Sequence, residues 1–230
     1  MWGDGGGRRR ACLDADDVPR VEAAALADQK KDHHASELSE PEVALKRTRY
    51  QALIVAWALW RLKFVDETGI NLTLTRRYGR AAPGRRVREG VPRRYIKHVT
   101  LVAAVGLSGL VAPMTLDGAM DAEAFVEWVE QVLAPCLSVG DVVVMDNLSV
   151  HKVEAVVAAI TARGAYVEFL PPYSPDLNPI EKVWSKLKTA LRKAKARTRE
   201  ALEVALRDAI ATLTPSDIRG WFEHCGYVAR

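Results

Sequence analysis

The 230-residue sequence has few cysteines, no long apolar run and an N-terminal stretch that does not read as a secretory signal, and each of these features argues against a class of protein. Its three cysteines (Cys12, Cys136 and Cys225) are far apart and form no CxxC motif, which argues against a zinc site or a disulfide framework. The longest apolar run, 52–60, is shorter than the roughly 20 residues needed to span a bilayer. The first ten residues are rich in Gly and Arg, without an apolar stretch behind them. We therefore expect a cytoplasmic protein with no membrane partner.

The net charge of +4 is unevenly distributed along the chain. Residues 61–97 hold eleven Lys or Arg against three acids, and residues 182–199 hold eight basic residues and no acid. Such blocks attract polyanions through counterion release, and nucleic acid is the obvious candidate. The alternative is that the second block is the solvated face of a helix. Charge alone leaves both interpretations open.

Two regions differ in their hydrophobic patterning. Residues 1–50 show no clear helix or strand period, and residues 50–62 could form a short apolar helix. We therefore expect 1–60 to be a poorly ordered or weakly helical segment. Residues 61–228 alternate between apolar and polar stretches and form the predicted domain.

The domain is predicted to contain strands first and helices later. The predicted strands are 63–65 (ending in a turn at 67–69), 70–75, 95–107, a short strand ending at Pro113, 141–145 and 166–170. The predicted helices are 121–133 with Asp121 as its cap, 152–163, 179–196, 199–213 and 215–223. This order indicates an α/β layer domain with a mixed sheet.

Three acidic residues stand where a side chain can leave the core and face a shared cleft. Asp66 ends the first predicted strand, and Asp146 directly follows the buried strand over 141–145. Glu181 lies in the first turn of the helix that begins at Pro179. If the first and fourth of the strands that make up the sheet are neighbours, the three carboxylates converge. Hard divalent ions such as Mg²⁺ take oxygen ligands of this kind, and a pair of ions roughly 3.5 to 4 Å apart can drive an in-line displacement at phosphorus.

Each of these acids also has a structural explanation. Asp66 could shape a turn with the Glu-Thr-Gly that follows it, and Asp146 could cap the next helix. Glu181 could return a hydrogen bond in a capping box opened by Asn178. The residues taken singly leave these alternatives open.

Three stretches of the domain carry a family resemblance. They are FVDETG (64–69), VVMDNLSVHK (143–152) and LPPYSPDLNPIEKVWSKLK (170–188), and they resemble the three blocks of mariner-like bacterial insertion-sequence transposases of the DDE superfamily. The last block is highly specific, because so long a string rarely arises by chance. Asp146 and Glu181 are separated by 34 residues (181 − 146 − 1), which is the spacing of the DD34E type. The resemblance covers about 61–227.

This resemblance implies a ribonuclease-H-like fold, with a mixed five-stranded sheet flanked by helices. It implies that Asp66, Asp146 and Glu181 are the catalytic residues and the ligands of two Mg²⁺ or Mn²⁺ ions. The implied reaction is the cleavage of double-stranded DNA at transposon ends, followed by attack of the freed 3′-hydroxyl on target DNA. A homodimer bound to DNA is the form that the family leads us to expect.

The basic loop after the first strands is the best candidate for DNA contacts, because long loops in compact domains usually have a function and Arg suits phosphate. The candidates in this loop are Arg76, Arg77, Arg80, Arg85 and Arg86. Four more residues near the acids are weaker candidates: Asn147, His151, Tyr173 and Ser174. Asn147 could instead hold Asp146, His151 could simply start a helix, and the other two could shape their loop. Trp184 falls on the apolar stripe of its helix and is predicted to be core.

Only 60 residues precede Arg61, and we find no convincing helix-turn-helix among them. In the family that this sequence resembles, a helix-turn-helix region precedes the catalytic domain. We therefore expect an N-terminally truncated or frameshifted product. End recognition would then need a separate N-terminal helix-turn-helix chain. The alternatives are a nonspecific metal-dependent nuclease and a catalytically silent DNA-binding remnant.

Overall fold

The computed structural model describes residues 40–76, 78–90, 98–147 and 153–228, which are built around one mixed five-stranded sheet. The strands are β1 (Leu62–Ile70), β2 (Val99–Gly106), β3 (Gly109–Asp117), β4 (Val142–Met145) and β5 (Tyr166–Phe169). The helices are α1 (Pro41–Ile54), α2 (Ala122–Trp128), α3 (Glu154–Thr161), α4 (Ile180–Ala194), α5 (Arg199–Ala211) and α6 (Pro215–His224). The predicted fold class is confirmed. Across these described ranges no helix is long and apolar enough to cross a bilayer.

The sheet has the order β3-β2-β1-β4-β5, with β1 at its centre. β1 pairs antiparallel with β2 and parallel with β4, and β4 pairs parallel with β5. The expected contact between the first and fourth strands is therefore confirmed. Their pairing runs from Leu62 opposite Val142 to Phe64 opposite Val144 and stops there.

Side chains of β1 and β4 alternate between two buried clusters, one on each face of the sheet. Phe64 and Val144 belong to the cluster that α4 completes with Trp184, whereas Val143 and Met145 belong to the cluster on the other face. All four residues of β4 are buried, as expected for a central strand covered on both faces.

β1 is longer than predicted, and the expected turn over 67–69 is wrong. The strand continues to Ile70 because β2 pairs with it throughout, with Gly69 opposite Thr100. Cross-strand pairing and the burial of Thr68 override the local turn preference of Glu-Thr-Gly. The predicted strand over 70–75 is also wrong, since 71–75 lies outside the sheet and Asn71 Oδ1 accepts from the Thr73 amide 3.1 Å away.

β3 also continues beyond its predicted end at Pro113. The register with β2 shifts between Val102 and Ala104, and Ala112 has φ 53° at this irregularity. A bulge lets a strand accommodate proline, and the indole of Trp128 donates to the displaced Ala112 carbonyl at 3.0 Å. β2 begins at Val99; residues 95–97 of its predicted span lie outside the described residues.

Helix α1 lies before the predicted domain start and differs from the short helix expected over 50–62. It begins at Pro41 and ends at Ile54, and a short 3-10 turn over Leu59–Arg61 leads into β1. Tyr50 is buried in the same cluster as α4, so α1 packs on the sheet domain. Residues 1–39 lie outside the described residues.

The remaining helices follow their predictions with small shifts of their ends. Asp121 caps α2 as expected, its carboxylate accepting from the Ala124 amide at 2.9 Å. The α-helical part ends at Trp128, and one π turn over Val129–Leu133 completes the predicted span.

Candidate active site

A pocket of about 450 Å³ opens beside β1 and beyond the end of β4. Asp66, Asp146 and Glu181 all line it, so the structure brings together the three carboxylates that the sequence singled out. The other lining residues are Asn147, Leu170, Pro171, Pro172, Tyr173, Ser174, Pro175 and Asn178.

The register of the two central strands places the two aspartates together. Phe64 and Val144 are the last paired residues, and each aspartate comes two residues after its strand's member of that pair. Because side chains alternate across a strand, Asp66 lies on the same face as Phe64, which is the face that α4 covers. The pairing of the two strands, which the sequence analysis expected, is therefore what brings the two aspartates together.

Asp66 is held by two N–H donors. Its Oδ1 accepts from the Glu67 amide at 2.8 Å, and its Oδ2 accepts from Trp184 Nε1 at 3.0 Å. Burial, and after it the nearby charge of Glu181, together raise the pKa of Asp66 to about 7, even though the two donors lower it. A carboxylate in this position is costly to ionise unless a cation lies beside it.

Trp184 was predicted to be core, and its burial confirms this. Its hydrogen bond to Asp66 was not predicted. The only sequence signal for the contact is the spacing, since Trp184 follows Glu181 by three residues and so lies on the same side of α4. Trp184 therefore both fills the core and fixes the orientation of a site carboxylate.

Glu181 stands in the first turn of α4, but the capping-box alternative is wrong. The helix begins at Ile180 with Pro179 as its N-cap, and no side chain caps it. The Glu181 amide donates to the Asn178 backbone carbonyl at 3.2 Å instead. The Glu181 side chain is exposed and faces the pocket.

The donor chemistry of the pocket fits a hard divalent cation. Three carboxylates contribute only oxygen ligands. Asn178 is 5% exposed, borders the pocket, and its Oδ1 has no hydrogen-bond partner among the described residues. Across the same residues, no three Asp, Glu, His or Cys side chains are close enough to hold one ion by themselves.

Eight of the nine residues proposed for DNA contacts fall into three groups. Arg76, Arg80, Arg85 and Arg86 are exposed, while Arg77 and His151 lie outside the described residues. Asn147 and Tyr173 are exposed at the pocket, and Tyr173 has a left-handed backbone with φ 55°.

Ser174 differs from these candidates because it is buried. Its hydroxyl accepts from Arg47 at 2.7 Å and donates to the Pro172 carbonyl at 3.0 Å. The loop-shaping alternative fits this geometry better than a phosphate contact does.

Comparisons with known proteins bear on the family and the fold of the chain. The family model for the DDE superfamily endonuclease matches residues 61–203. The solved paired-end complex of Mos1 transposase with its left transposon end superposes with a TM-score of 0.70 at 18% identity, covering 88% of this chain and 64% of that chain. The catalytic domain of Mos1 mariner transposase superposes with a TM-score of 0.62 at 16% identity, covering 86% of this chain and 94% of that one. No curated protein sequence matches the chain.

These likenesses show the fold, which is ribonuclease-H-like as predicted. Mos1 paired-end complexes have been solved with Mn and with Mg. The chain spans about two thirds of the length of the transposase in the paired-end complex.

Proposed function

This chain belongs to the DDE superfamily endonuclease family, and from that premise we propose that it is the catalytic domain of a DNA transposase. The observation that carries the proposal is the convergence of Asp66, Asp146 and Glu181 on one pocket from three separate elements. In our proposal it cuts DNA at the ends of a bacterial insertion sequence of the DD34E type, and the freed 3′-hydroxyl then attacks a phosphodiester of target DNA and displaces the 3′-oxygen of the target strand.

We propose that the three carboxylates hold two Mg²⁺ or Mn²⁺ ions. Mg²⁺ is usually bound through one or two carboxylates, so three carboxylates on one pocket suit a pair of ions that share them. Bound in this way, the ions would activate the attacking water or 3′-hydroxyl and stabilise the leaving oxygen.

The protein's own contribution is to fix the ligands before the ions arrive. The Glu67 amide and the Trp184 indole hold both oxygens of Asp66. The start of α4 aims Glu181 into the pocket, and the amide of Asn178 borders the same space, where it can orient a bound water. Tyr173 and Asn147 stand at the exposed rim, where a DNA strand would pass.

Double-stranded DNA is the proposed partner, and the exposed arginines after β1 are the proposed phosphate contacts. We further propose a homodimer on DNA, assisted by a separate helix-turn-helix chain, in a bacterial cytoplasm. The Mos1 neighbours include a paired-end complex, a pre-cleavage transpososome and a strand-transfer complex, which supports the choice of DNA as partner.

Replacing Arg85 and Arg86 together by Ala is expected to weaken DNA binding at all sequences alike. Removing one arginine–phosphate interaction should lower the slope of log K against log salt by about 0.9, so removing the pair should lower it by about 2. Fluorescence anisotropy with a labelled duplex at several salt concentrations measures the slope. The matched control is Arg163→Ala with Arg219→Ala; both arginines are exposed, the first just after the end of α3 and the second on α6. An equal slope in both double variants would remove the loop from the DNA interface.

The proposed activity is tested with supercoiled plasmid. We expect the purified chain to convert it to the nicked form with Mn²⁺ or Mg²⁺ and to leave it intact with EDTA. Nicking that is independent of metal contradicts the proposal. DNA binding without nicking under any divalent metal would instead identify a catalytically silent DNA-binding protein.

A further inference from the structure

Helix α1 is hydrogen-bonded to the loop that leads into α4, although α1 itself lies outside the residues that the family model matches. Arg47 donates through Nη1 to Ser174 Oγ at 2.7 Å and to Asp176 Oδ1 at 3.0 Å, and through Nη2 to Asp176 Oδ2 at 2.6 Å. Two parallel N–H···O bonds to one carboxylate form a charge-assisted fork, which fixes orientation as well as distance. One guanidinium thus joins two residues of the loop.

A second contact from α1 reaches the same loop through the core. The Tyr227 hydroxyl donates to the Leu177 carbonyl at 2.6 Å, and the Tyr50 and Tyr227 hydroxyls lie 3.0 Å apart. Since a hydroxyl has one proton to donate, Tyr50 must be the donor to Tyr227. Burial raises the pKa of both tyrosines, so both keep their protons over the working range of pH.

The loop residues that α1 contacts lie directly before two pocket residues in the sequence. Pro175–Leu177 form one 3-10 turn. The backbone N–H of Asn178 closes this turn by donating to the Pro175 carbonyl at 3.1 Å. Asn178 and Glu181 follow within four residues of Leu177 and both line the pocket. A displacement of this turn therefore moves the start of α4 and the Glu181 carboxylate with it.

We propose that α1 is a working part of the catalytic unit, in which Arg47 and the Tyr50–Tyr227 pair are positioning residues that set Asn178 and Glu181 for metal binding. The proposal rests on the proposed function in so far as the ligand is a divalent metal. Loop rigidity and metal dependence are separate measurements, so each part can fail independently.

The first measurement follows the loop without relying on any activity. Hydrogen–deuterium exchange of the 173–181 amides is compared between Arg47→Met and Lys46→Met in the full chain. Lys46 is the matched control, because its replacement removes one positive charge from the same helix and its ion pair at 2.6 Å is with Glu42 of that helix. We expect exchange at least about tenfold faster in Arg47→Met only, since the loop loses three side-chain bonds. Equal exchange in the two variants overturns the proposal.

The second measurement is the Mn²⁺ concentration that gives half-maximal plasmid nicking. Removing groups that orient metal ligands typically weakens metal binding by about 10- to 100-fold. We expect a rise of about tenfold in Arg47→Met, with the KM for DNA unchanged and partial recovery in Arg47→Lys, which keeps the charge but not the fork. An unchanged half-saturating concentration overturns the positioning role.

Tyr227→Phe provides an independent variant that barely changes core volume. It removes the donor to Leu177, and we expect the same two changes in it, of smaller size. If the wild-type chain shows no nicking, the proposed function fails. Faster loop exchange in Arg47→Met and Tyr227→Phe would still establish that α1 holds the loop.

Discussion

Replacing Asp146 by Asn is expected to lower the rate of metal-dependent nicking by about 100- to 1000-fold. Asn keeps the shape of the side chain but removes one negative charge and one carboxylate oxygen from the pocket. A metal-assisted displacement depends on charge stabilisation in the transition state, where the loss of one well-placed group costs about 100- to 1000-fold. Initial nicking rates of supercoiled plasmid at saturating Mn²⁺ give the measurement.

Asp208→Asn is the matched control, since it makes the same chemical change at an exposed position on α5. We expect it to nick at the wild-type rate. Thermal melting of both variants without metal separates loss of chemistry from loss of fold. Wild-type nicking by Asp146→Asn would remove Asp146 from the catalytic set and, with it, the assignment of the three carboxylates.

The central part of the fold could be predicted because local pattern and tertiary packing agree there. The run Val142–Met145 is apolar at every position, a pattern typical of a central strand, and the structure buries it on both faces. The stripe of α4 likewise predicts which of its residues are buried, including Trp184. In such elements the apolar positions of the sequence are the positions that the tertiary structure buries, so the pattern predicts the packing directly.

The errors occurred where long-range pairing determines local structure. Glu67-Thr68-Gly69 has turn-forming composition, but β2 supplies partners along the whole segment and keeps it extended. Pro113 predicts a strand end, but a bulge opposite Val102–Ala104 lets β3 pass. Composition within a short window carries no information about such partners.

The site shows the same division. Its three carboxylates could be selected from strand ends, spacing and family resemblance, and the structure places them at one pocket. The groups that hold the site were missed, because they join residues far apart in sequence. Trp184 is 118 residues from Asp66, and Arg47 is 127 residues from Ser174. Apart from the three-residue spacing between Glu181 and Trp184, no period or spacing rule points to these contacts, so the fold is needed to reveal them.

The burial of Asp66 gives a prediction about stability. Its pKa is raised from 3.8 to about 7 by burial and then by Glu181, so between these two values the folded chain binds a proton that the unfolded chain has released. The stability of the metal-free protein should therefore fall as the pH rises from about 4 to about 7, and the Asp66 contribution should level off above that. This loss of stability is the free-energy cost of keeping the Asp66 carboxylate ionised where the surrounding protein shields it from water.

Asp66→Asn should consequently stabilise the metal-free protein at pH 8. A rise in the pKa of Asp66 from 3.8 to about 7 corresponds to about 4 kcal/mol of lost folding free energy when the carboxyl is ionised. Asn removes this penalty, but its single acceptor oxygen serves only one of the two donors, which costs about 1 kcal/mol. Allowing for relaxation around the uncharged side chain, we expect a net gain of about 2 kcal/mol, or roughly 5 °C in Tm. At pH 4 the gain should vanish, because Asp66 is then protonated in the folded wild type.

At pH 8, divalent metal should reverse which protein melts at the higher temperature, so that the wild type melts above Asp66→Asn. At 100 times its Kd, Mn²⁺ stabilises a protein that binds it only when folded by about 2.7 kcal/mol, and only the wild type keeps the Asp66 ligand. Melting curves at pH 4 and pH 8, with EDTA or with Mn²⁺, measure all four cases. If Asp66→Asn melts below the wild type in EDTA at pH 8, the carboxylate is stabilising the fold. The destabilisation that we attribute to burying this charge would then be absent.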